Sequence, residues 1–428
     1  MEKVVKQIRS SEFLRHNAVF FAGAMVVGAA NYLYYPIMGR LLHDPIAYGD
    51  VQVLTVLYNQ LTLPTLVLSQ VAINVVTNAD SAAVRSRMLF MLEKFGMLVS
   101  LVLIGILGLL TWQLKDFLQL ASIPAYLVLL AAVAIGTPMA FRNAYLRARK
   151  AFRRNATSLN IGAVTKLLGA ALLVIAGAGS AGAVGGLVVG QALALIYAMR
   201  WASRLGLTQP ANYWRTLSLP WRKLLPELRF SLLALSCLLG VSLLSTLDVL
   251  VVKHYFDPQI AGEYAGVSTV AKIIFFATGS IAQVMLPSIK LANSQRANAS
   301  ILAKSAVLLT AVGGSATLVL VLFSDLTVRL LMGSAYLPFA HLLPALGIAM
   351  FVVSLVNVLA LYYMALRSYI VGGIMLVSAV GTAMLMAWRH DSLEHIIYNL
   401  MLGASLTLIV LIVWTVHQAI RNQPTTQK

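Results

Sequence analysis

The chain has 428 residues, of which 60% are hydrophobic and only 11% are charged, and its formal net charge is +18. A soluble domain carries about 25% charged residues, so this composition excludes an ordinary soluble protein. Apolar runs of about 20 residues, the length that a helix needs to cross a bilayer, recur along the whole sequence. We therefore predict an all-α polytopic membrane protein, in which the first apolar run is a full span rather than a cleavable signal peptide.

The positive charge does not predict a nucleic-acid partner, because the basic residues lie beside the apolar runs and do not form a separate basic domain. The single cysteine, Cys237, lies within an apolar run and has no intrachain partner for a disulfide. The seven histidines are scattered, without a metal-ligand spacing or a catalytic Ser/His/Asp arrangement. The sequence therefore predicts neither an enzyme nor a bound metal or cofactor.

Twelve spans are predicted, six in each half of the chain. A basic segment at 1–16 is typical of a helix on the membrane surface. Another segment, 204–228, is rich in Trp, Pro and basic residues, and we interpret it as an interfacial cytoplasmic linker between an N-terminal lobe, 1–203, and a C-terminal lobe, 229–428. The predicted spans are 17–38, 49–76, 90–112, 124–145, 157–178, 182–201, 230–252, 263–287, 302–323, 338–361, 369–388 and 396–416.

The distribution of basic residues predicts the orientation of the chain. Most lysines and arginines outside the spans lie in the N-terminal segment and in alternate loops, including the 2–3 loop, the 4–5 region and the linker. By the positive-inside rule these loops and both termini are cytoplasmic, in a cytoplasmic (inner) membrane. Since six is an even number, the two lobes would share one orientation and form a parallel pseudo-twofold repeat, an architecture that recurs among transporters.

The first hairpin of each half supports this repeat, because both halves carry Asp, Pro, Gly and an acid at the same spacing. The matching pairs are Asp44 and Asp257, Pro45 and Pro258, Gly49 and Gly262, and Asp50 and Glu263. The same shift places Asn59 on Lys272 and Arg40 on Lys253. We predict a structural role for these loops, in which Pro stops one helix and the acid caps the next helix near its N-terminus.

Ionisable residues inside the predicted spans are the candidates for function. A charged side chain at this depth costs at least ~2.5 kcal/mol and must face a cavity or a partner. Lys272 lies inside span 8 and Lys166 lies near the middle of span 5. Asp248 is the acidic residue well inside a span, and two alternatives are open for it: a site for H⁺ or Na⁺, or an ion pair with Lys272 or Lys253.

Three further basic positions also have two interpretations. Arg40 and Lys253 lie at the outer ends of spans 1 and 7, where they are either binding residues, or ordinary anchors that reach the membrane surface or pair with the loop residues Asp44 and Asp257. Arg142, with Asn143, lies near the inner end of span 4, where it either faces a cytoplasmic vestibule or, the interpretation we favour, is one of a cluster of basic topology anchors.

Three stretches resemble the polysaccharide-biosynthesis, or O-antigen-type, flippases of the multidrug/oligosaccharidyl-lipid/polysaccharide (MOP) exporter superfamily. The first is YYPIMGRLLHDPIAYGDVQVL, and the second runs from LLPELRF through FDPQIAGEY to VMLPSI. The third is LTVRLLMGSAYLPFAHLLPALGIAMF, in which Met332 replaces the usual Phe. The resemblance covers both halves of the chain, although span 1 lacks the arginines that are typical of the family.

This resemblance implies two six-helix lobes around a cationic cavity and export by alternating access. The implied substrate is an undecaprenyl-pyrophosphate-linked oligosaccharide, moved from the cytoplasmic to the outer leaflet for surface polysaccharide biosynthesis. Basic residues would bind its diphosphate by charge-assisted hydrogen bonds. The implied partners are membrane lipids, a coupling H⁺ or Na⁺, and the glycosyltransferases and polymerase of the pathway. The proposed substrate-binding residues are Lys272, Asn59, Lys166, Asp248, Arg40 and Lys253.

Three other functions remain open. A cation-coupled multidrug exporter of the same superfamily would favour acidic residues, whereas the ionisable residues singled out inside these spans are two lysines, Lys166 and Lys272, and one aspartate, Asp248. A different carrier built from six-plus-six repeats is disfavoured because the 2–3 loop, NADSAAVRSRM, lacks that group's signature. A membrane enzyme is disfavoured because no paired carboxylates or large soluble domain are evident.

Overall fold

The computed structural model describes residues 12–209, 221–291 and 293–421, and within these ranges the chain is helical with no β-strand. It divides into two compact units, Met1–Ser231 and Leu232–Lys428. The segment 1–11, which is most of the predicted surface helix, and 210–220, the middle of the predicted linker, lie outside the described residues. The linker at 204–228 therefore remains a prediction.

The first unit contains six long helices and one short helix. Its long helices pack through apolar faces, and their loops carry the polar and charged residues that end them. The helices are α1 (Glu12–Leu41), α2 (Pro45–Thr77), α3 (Ala82–Leu109), α4 (Thr111–Phe117), α5 (Ile123–Ala148), α6 (Phe152–Leu173) and α7 (Gly179–Arg204).

The second unit repeats this plan with more interruptions. Helix α8 begins before the boundary of the unit, and its remaining residues belong to this unit. The helices are α8 (Trp221–Leu244), α9 (Leu247–Tyr255), α10 (Pro258–Ala271), α11 (Ile273–Met285), α12 (Gln295–Leu322), α13 (Ser324–Leu331), α14 (Leu343–Ala365), α15 (Tyr369–Trp388) and α16 (Leu393–Arg421). A 3₁₀ segment, Ser334–Leu342, leads into α14.

Ten segments of the described chain are long and apolar enough to cross a membrane. One of them, Phe152–Arg204, contains both α6 and α7, which meet at a tight turn where Gly177 and Gly179 have φ of 90° and 51°. Glycine adopts these left-handed angles without the steric cost of a Cβ. With α1 as a further span, the predicted all-α fold of twelve spans is confirmed.

The two units have the same internal packing, which explains the repeat seen in the sequence. In each unit the second span packs on the third and fourth, and the third packs on the fourth. The sixth packs on the fourth and fifth, and the first packs on the fifth. The hairpin residues also correspond: Asp44 accepts a hydrogen bond from the Ile46 N–H at 2.9 Å, and Asp257 accepts one from the Gln259 N–H at 2.9 Å. Each aspartate caps a helix that starts with proline.

The second acid of each hairpin differs from the prediction. Asp50 is buried and accepts hydrogen bonds from the N–H groups of Ala121 (2.9 Å) and Ser122 (3.2 Å), so it holds the start of α5 rather than capping α2. Glu263 accepts a hydrogen bond from the side-chain amide of Gln259 at 2.6 Å. The cap residue in each hairpin is therefore the first aspartate.

Two predicted spans are irregular rather than continuous helices. Span 7 breaks between α8 and α9, where the hydroxyls of Ser245 and Thr246 both donate to the Ser242 carbonyl, at 2.8 and 2.7 Å. Such local side-chain bonds compete with the helical pattern of the backbone. Span 8 has a one-residue irregularity at Lys272, between α10 and α11, although the hydrogen bonds from the Lys272 N–H to Ser268 and from the Phe276 N–H to Lys272 continue across it. Both irregularities lie beside the acidic and basic residues that the sequence singled out.

Candidate functional site

Four polar side chains meet inside the second unit, and we call them the Asp248 cluster: Asp248, Tyr264, Ser268 and Lys272. Asp248 is completely buried in the first turn of α9, where a carboxylate is favourable for the helix dipole. The other three residues follow each other at intervals of four along α10, so they lie on one helix face. This spacing brings all three side chains to the same carboxylate.

The carboxylate of Asp248 has three partners. Its Oδ2 accepts hydrogen bonds from the Tyr264 hydroxyl at 3.2 Å and the Ser268 hydroxyl at 2.5 Å. Its Oδ1 lies 3.5 Å from Nζ of Lys272, which is only 8% exposed. Of the alternatives that the sequence left open, the geometry shows the ion pair with Lys272. The charge of Lys272 is thus compensated within its own unit.

The other basic pair, Arg40 and Lys253, shares a position in the repeat but not an environment. Arg40 is exposed in the last turn of α1. Lys253 is only 1% exposed in the last turn of α9 and is among the largest completely buried side chains. The interpretation of Lys253 as an anchor that reaches the membrane surface is therefore wrong, because its side chain packs into the unit.

In the first unit, Lys166 reaches from α6 towards α1. Its ammonium donates a hydrogen bond to Oδ1 of Asn31 at 2.5 Å and lies 4.6 Å from the ring centre of Tyr34. The Tyr34 ring is buried, and its hydroxyl donates to the carbonyl of Ala183 at 3.0 Å. Both partners of the ammonium are neutral, and among the described residues no carboxylate lies within 4.0 Å of it. Among the described residues Lys166 therefore has no acidic partner.

A stripe of small residues on α7 fixes the backbone of Lys166. A Cβ at Gly190 would lie 2.4 Å from the carbonyl oxygen of Gly162 and 2.9 Å from Cβ of Lys166. A Cβ at Gly186 would lie 2.4 Å from the Lys166 carbonyl oxygen. Small residues allow this close approach of membrane helices. The stripe consists of Gly182, Gly186, Gly190, Ala194, Ala198 and Ala202.

Asn59 occupies the same helical position as Lys272 but has different surroundings. It lies fourteen residues after Pro45 (59 − 45 = 14), as Lys272 lies fourteen after Pro258 (272 − 258 = 14). Asn59 is exposed, whereas Lys272 is buried against its carboxylate partner. The preceding residue, Tyr58, accepts a hydrogen bond from the side-chain amide of Gln191.

One buried ion pair was not predicted from the sequence. Arg142 donates to Glu93 at 2.5 Å, and both side chains are buried. The guanidinium also lies 4.7 Å from the ring centre of Phe90. Arg142 therefore joins α3 to α5 inside the first unit, a contact that the interpretation as a topology anchor did not include. The sequence did contain a signal for this pair, because Glu93 lies three residues inside predicted span 3 (93 − 90 = 3), where a carboxylate needs a partner.

The chemistry of these clusters is that of ion pairing and anion binding. In the Asp248 cluster the carboxylate is held by two hydroxyls and an ammonium, and the Lys166 ammonium contacts an amide oxygen and an aromatic ring. Among residues 12–209, 221–291 and 293–421, no group of three or more His, Cys, Asp or Glu is placed to hold a metal ion. An ammonium that is held only by an amide oxygen and an aromatic face is suited to a negatively charged ligand.

No protein-family model and no curated protein sequence matches this chain. Solved structures do match it. The lipid II flippase MurJ, in its inward closed conformation, superposes with a TM-score of 0.74 at 11% identity, over 93% of this chain and 87% of MurJ. A mutant of the MATE transporter VcmN from Vibrio cholerae superposes with a TM-score of 0.63 at 15% identity, over 96% of this chain and 97% of VcmN.

A MOP superfamily transporter from Pyrococcus furiosus, described as having a binding pocket of reversed polarity, matches with a TM-score of 0.58 at 13% identity. That match covers 94% of this chain and 95% of the other. At these identities the likeness concerns the fold. The chain therefore has the twelve-helix, two-lobe fold of the MOP superfamily, and it is a multi-pass membrane protein whose structural neighbours are transporters. The predicted likeness to this superfamily is confirmed at the level of the fold.

Proposed function

We propose that this protein is a flippase for a lipid-linked oligosaccharide. It moves an undecaprenyl-pyrophosphate-linked oligosaccharide from the cytoplasmic to the outer leaflet by alternating access, for surface polysaccharide biosynthesis. The observation that supports this proposal is the ammonium of Lys166, which lies inside a span and, among the described residues, has the neutral Asn31 and Tyr34 as its polar partners and no carboxylate nearby.

The charges inside the first unit favour an anionic substrate. The cation Arg142 is compensated by Glu93, whereas Lys166 has no acidic partner among the described residues. A charge in a medium of low dielectric constant attracts an opposite charge far more strongly than it does in water. A diphosphate offers that opposite charge and several acceptor oxygens, so Lys166 would bind it by charge-assisted hydrogen bonds. The neighbour MurJ is a lipid II flippase, which supports the same substrate class.

The other proposed site residues have graded roles. Asn59 is exposed and can offer an amide to the sugar or the diphosphate. Lys272 and Asp248 form a neutral pair, so Lys272 would reach a diphosphate only after this pair opens. Arg40 and Lys253 stay in the proposed set with a weaker claim, since the first lies at a helix end and the second is buried.

The alternative is a cation-coupled multidrug exporter; one structural neighbour is described as a multidrug resistance MATE family transporter of the MOP superfamily. Such a protein needs a carboxylate that is open to a drug or a coupling ion. Asp248 accepts two hydroxyl hydrogen bonds and pairs with Lys272, so it is not open in this conformation. This arrangement favours the flippase over the exporter.

The test is transport by the purified full chain in proteoliposomes. The probe is a fluorescent polyprenyl-diphosphate disaccharide, whose arrival in the opposite leaflet is followed by chemical quenching. Lys166→Met, which keeps the length of the side chain but removes its charge, should slow transport about tenfold or more, because a hydrogen bond to a charged group is worth about 1.5–3 kcal/mol. Lys166→Arg should retain most of the activity.

Lys304→Met is the matched control, because Lys304 is an exposed lysine on α12. It should transport the probe at the wild-type rate. Transport of ethidium in place of the diphosphate probe would show the exporter instead. Full transport activity of Lys166→Met would show that Lys166 does not bind the substrate. Whether the protein is a flippase is then decided by whether the wild type transports the diphosphate probe.

A further inference from the structure

A cluster of arginines around one tryptophan lies outside the proposed transport site. Helix α7 ends with Trp201 and Arg204, and α6 begins beside them with Arg153 and Arg154. The guanidinium carbon of Arg154 lies 3.5 Å from the ring centre of Trp201, and that of Arg204 lies 4.9 Å from it. Two guanidinium groups therefore share one indole. We call Trp201, Arg154 and Arg204, together with Arg153 in the same helical turn as Arg154, the Arg–Trp site.

The positive charge of the Arg–Trp site has no acidic partner. Among the described residues no carboxylate lies within 4.0 Å of Arg153, Arg154 or Arg204. Cations that are brought this close together repel each other unless an anion lies between them. The indole face attracts both guanidinium groups, but it carries no net charge.

The start of α6 makes this arrangement more unfavourable without a ligand. Its N-cap residue, Ala151, makes no side-chain hydrogen bond, and the first turn contains no acidic residue. Arg153 and Arg154 occupy that first turn instead. The N-terminus of a helix is the positive end of its dipole, where an anion is stabilised and a cation is not. The N–H groups of Arg154 and Asn155 bond to the Ala151 carbonyl, and no side chain or acid offsets the positive end of the helix, so this helix start and its two arginines favour a negatively charged group.

The surface next to the Arg–Trp site is apolar and exposed. On α6, Phe152 and Leu159 are exposed, and on α7, Ile196 and Met199 are exposed. These side chains continue from the arginines along the two helices. A free inorganic ion would contact only the arginines, whereas a phospholipid would contact the arginines with its headgroup and the apolar side chains with its acyl chains.

We infer that the Arg–Trp site binds the headgroup of an anionic phospholipid, whose acyl chains lie against the exposed apolar side chains of α6 and α7. The lipid belongs to the leaflet that the distribution of basic residues predicts to be cytoplasmic. Tryptophan is enriched at this depth of the membrane, and basic pockets between helices bind anionic headgroups there. The proposal is independent of the transported substrate.

The test is native mass spectrometry of the purified full chain after incubation with an equal mixture of phosphatidylglycerol and phosphatidylcholine with the same acyl chains. The wild type should retain phosphatidylglycerol with a preference of about tenfold or more, since each tenfold corresponds to 1.4 kcal/mol. The double variant Arg154→Gln/Arg204→Gln should lose this preference. The control Arg87→Gln/Lys304→Gln removes the same charge from exposed positions elsewhere and should keep it.

A second measurement does not depend on removing the arginines. Brominated phosphatidylglycerol should quench the fluorescence of Trp201 more than brominated phosphatidylcholine does, with Trp201→Phe giving the signal of the other tryptophans. Equal retention of the two lipids by the wild type, or equal quenching by them, would overturn the proposal. Complete displacement of phosphatidylglycerol by inorganic phosphate would show a site for the free ion, which also overturns it.

Discussion

The Asp248 cluster predicts that its two charged members contribute unequally to stability. Asp248→Asn and Lys272→Met each remove one charge with little change of volume, so packing is nearly constant. After Lys272→Met, the carboxylate still accepts hydrogen bonds from Tyr264 and Ser268. After Asp248→Asn, the ammonium of Lys272 has no other ion-pair partner among the described residues. The loss of Asp248 should therefore be the more destabilising change.

The geometry sets the size of the effect. At the 3.5 Å separation of the pair, an effective dielectric constant of about 20 gives an attraction of about 5 kcal/mol. Removal of one partner of a buried pair costs about 3–5 kcal/mol, which is the expected effect of Asp248→Asn. Lys272→Met should cost about 2 kcal/mol, because hydrogen bonds to a charged group retain about 1.5–3 kcal/mol each. The double variant should be close to the wild type, since a neutral replacement of a buried pair is often tolerated.

The chain supplies its own reporter for this measurement. Cys237 is the one cysteine of the sequence, it is buried in α8, and it belongs to the same unit as the cluster. A thiol-reactive fluorogenic dye therefore reports the thermal unfolding of this unit. At roughly 2–4 °C for each kcal/mol in a unit of this size, Asp248→Asn should lower the midpoint by roughly 6–20 °C and Lys272→Met by roughly 4–8 °C.

Equal losses from the two single variants, or additive losses in the double variant, would refute this account of the cluster. The double variant also separates a structural role from a binding role. If Lys272 only joins α9 to α10, the double variant should be stable and should transport the diphosphate probe. If Lys272 binds the substrate, the double variant should be stable but inactive.

Two further predictions concern packing and topology. Gly190→Ala should destabilise the first unit by about 1–3 kcal/mol, because its Cβ would meet backbone atoms of α6. Gly105→Ala, whose Cβ would have nothing within 4 Å, should be neutral or slightly stabilising. Thermal unfolding followed by tryptophan fluorescence measures both changes. In a Cys237→Ser background, a cysteine at the exposed position Ala83→Cys should react with a membrane-impermeant thiol reagent only from the cytoplasm. A cysteine at the exposed position Asp391→Cys should react only from outside. The opposite pattern would reverse the proposed orientation.

The sequence by itself determined the fold class and the repeat. Span length and composition depend on the thickness of the bilayer rather than on tertiary contacts, so the spans could be read directly. Asp44 and Asp257 cap the helices that follow them through hydrogen bonds to residues two positions away. The turn at Gly177 likewise needs only local backbone freedom. The pair of Asp248 with Lys272 was named among the alternatives, because the two residues lie on consecutive spans.

The environment of each charge was decided by the tertiary structure. The partner of Lys166 is Asn31, which lies 135 residues away, and no local pattern encodes which helices will meet at that distance. Arg142 pairs with Glu93 because α5 packs on α3. The same physical reason explains why Lys253 is buried while its repeat counterpart Arg40 is exposed. A sequence shows that a charge lies inside a span, but only the packing of the other helices decides whether an opposite charge meets it.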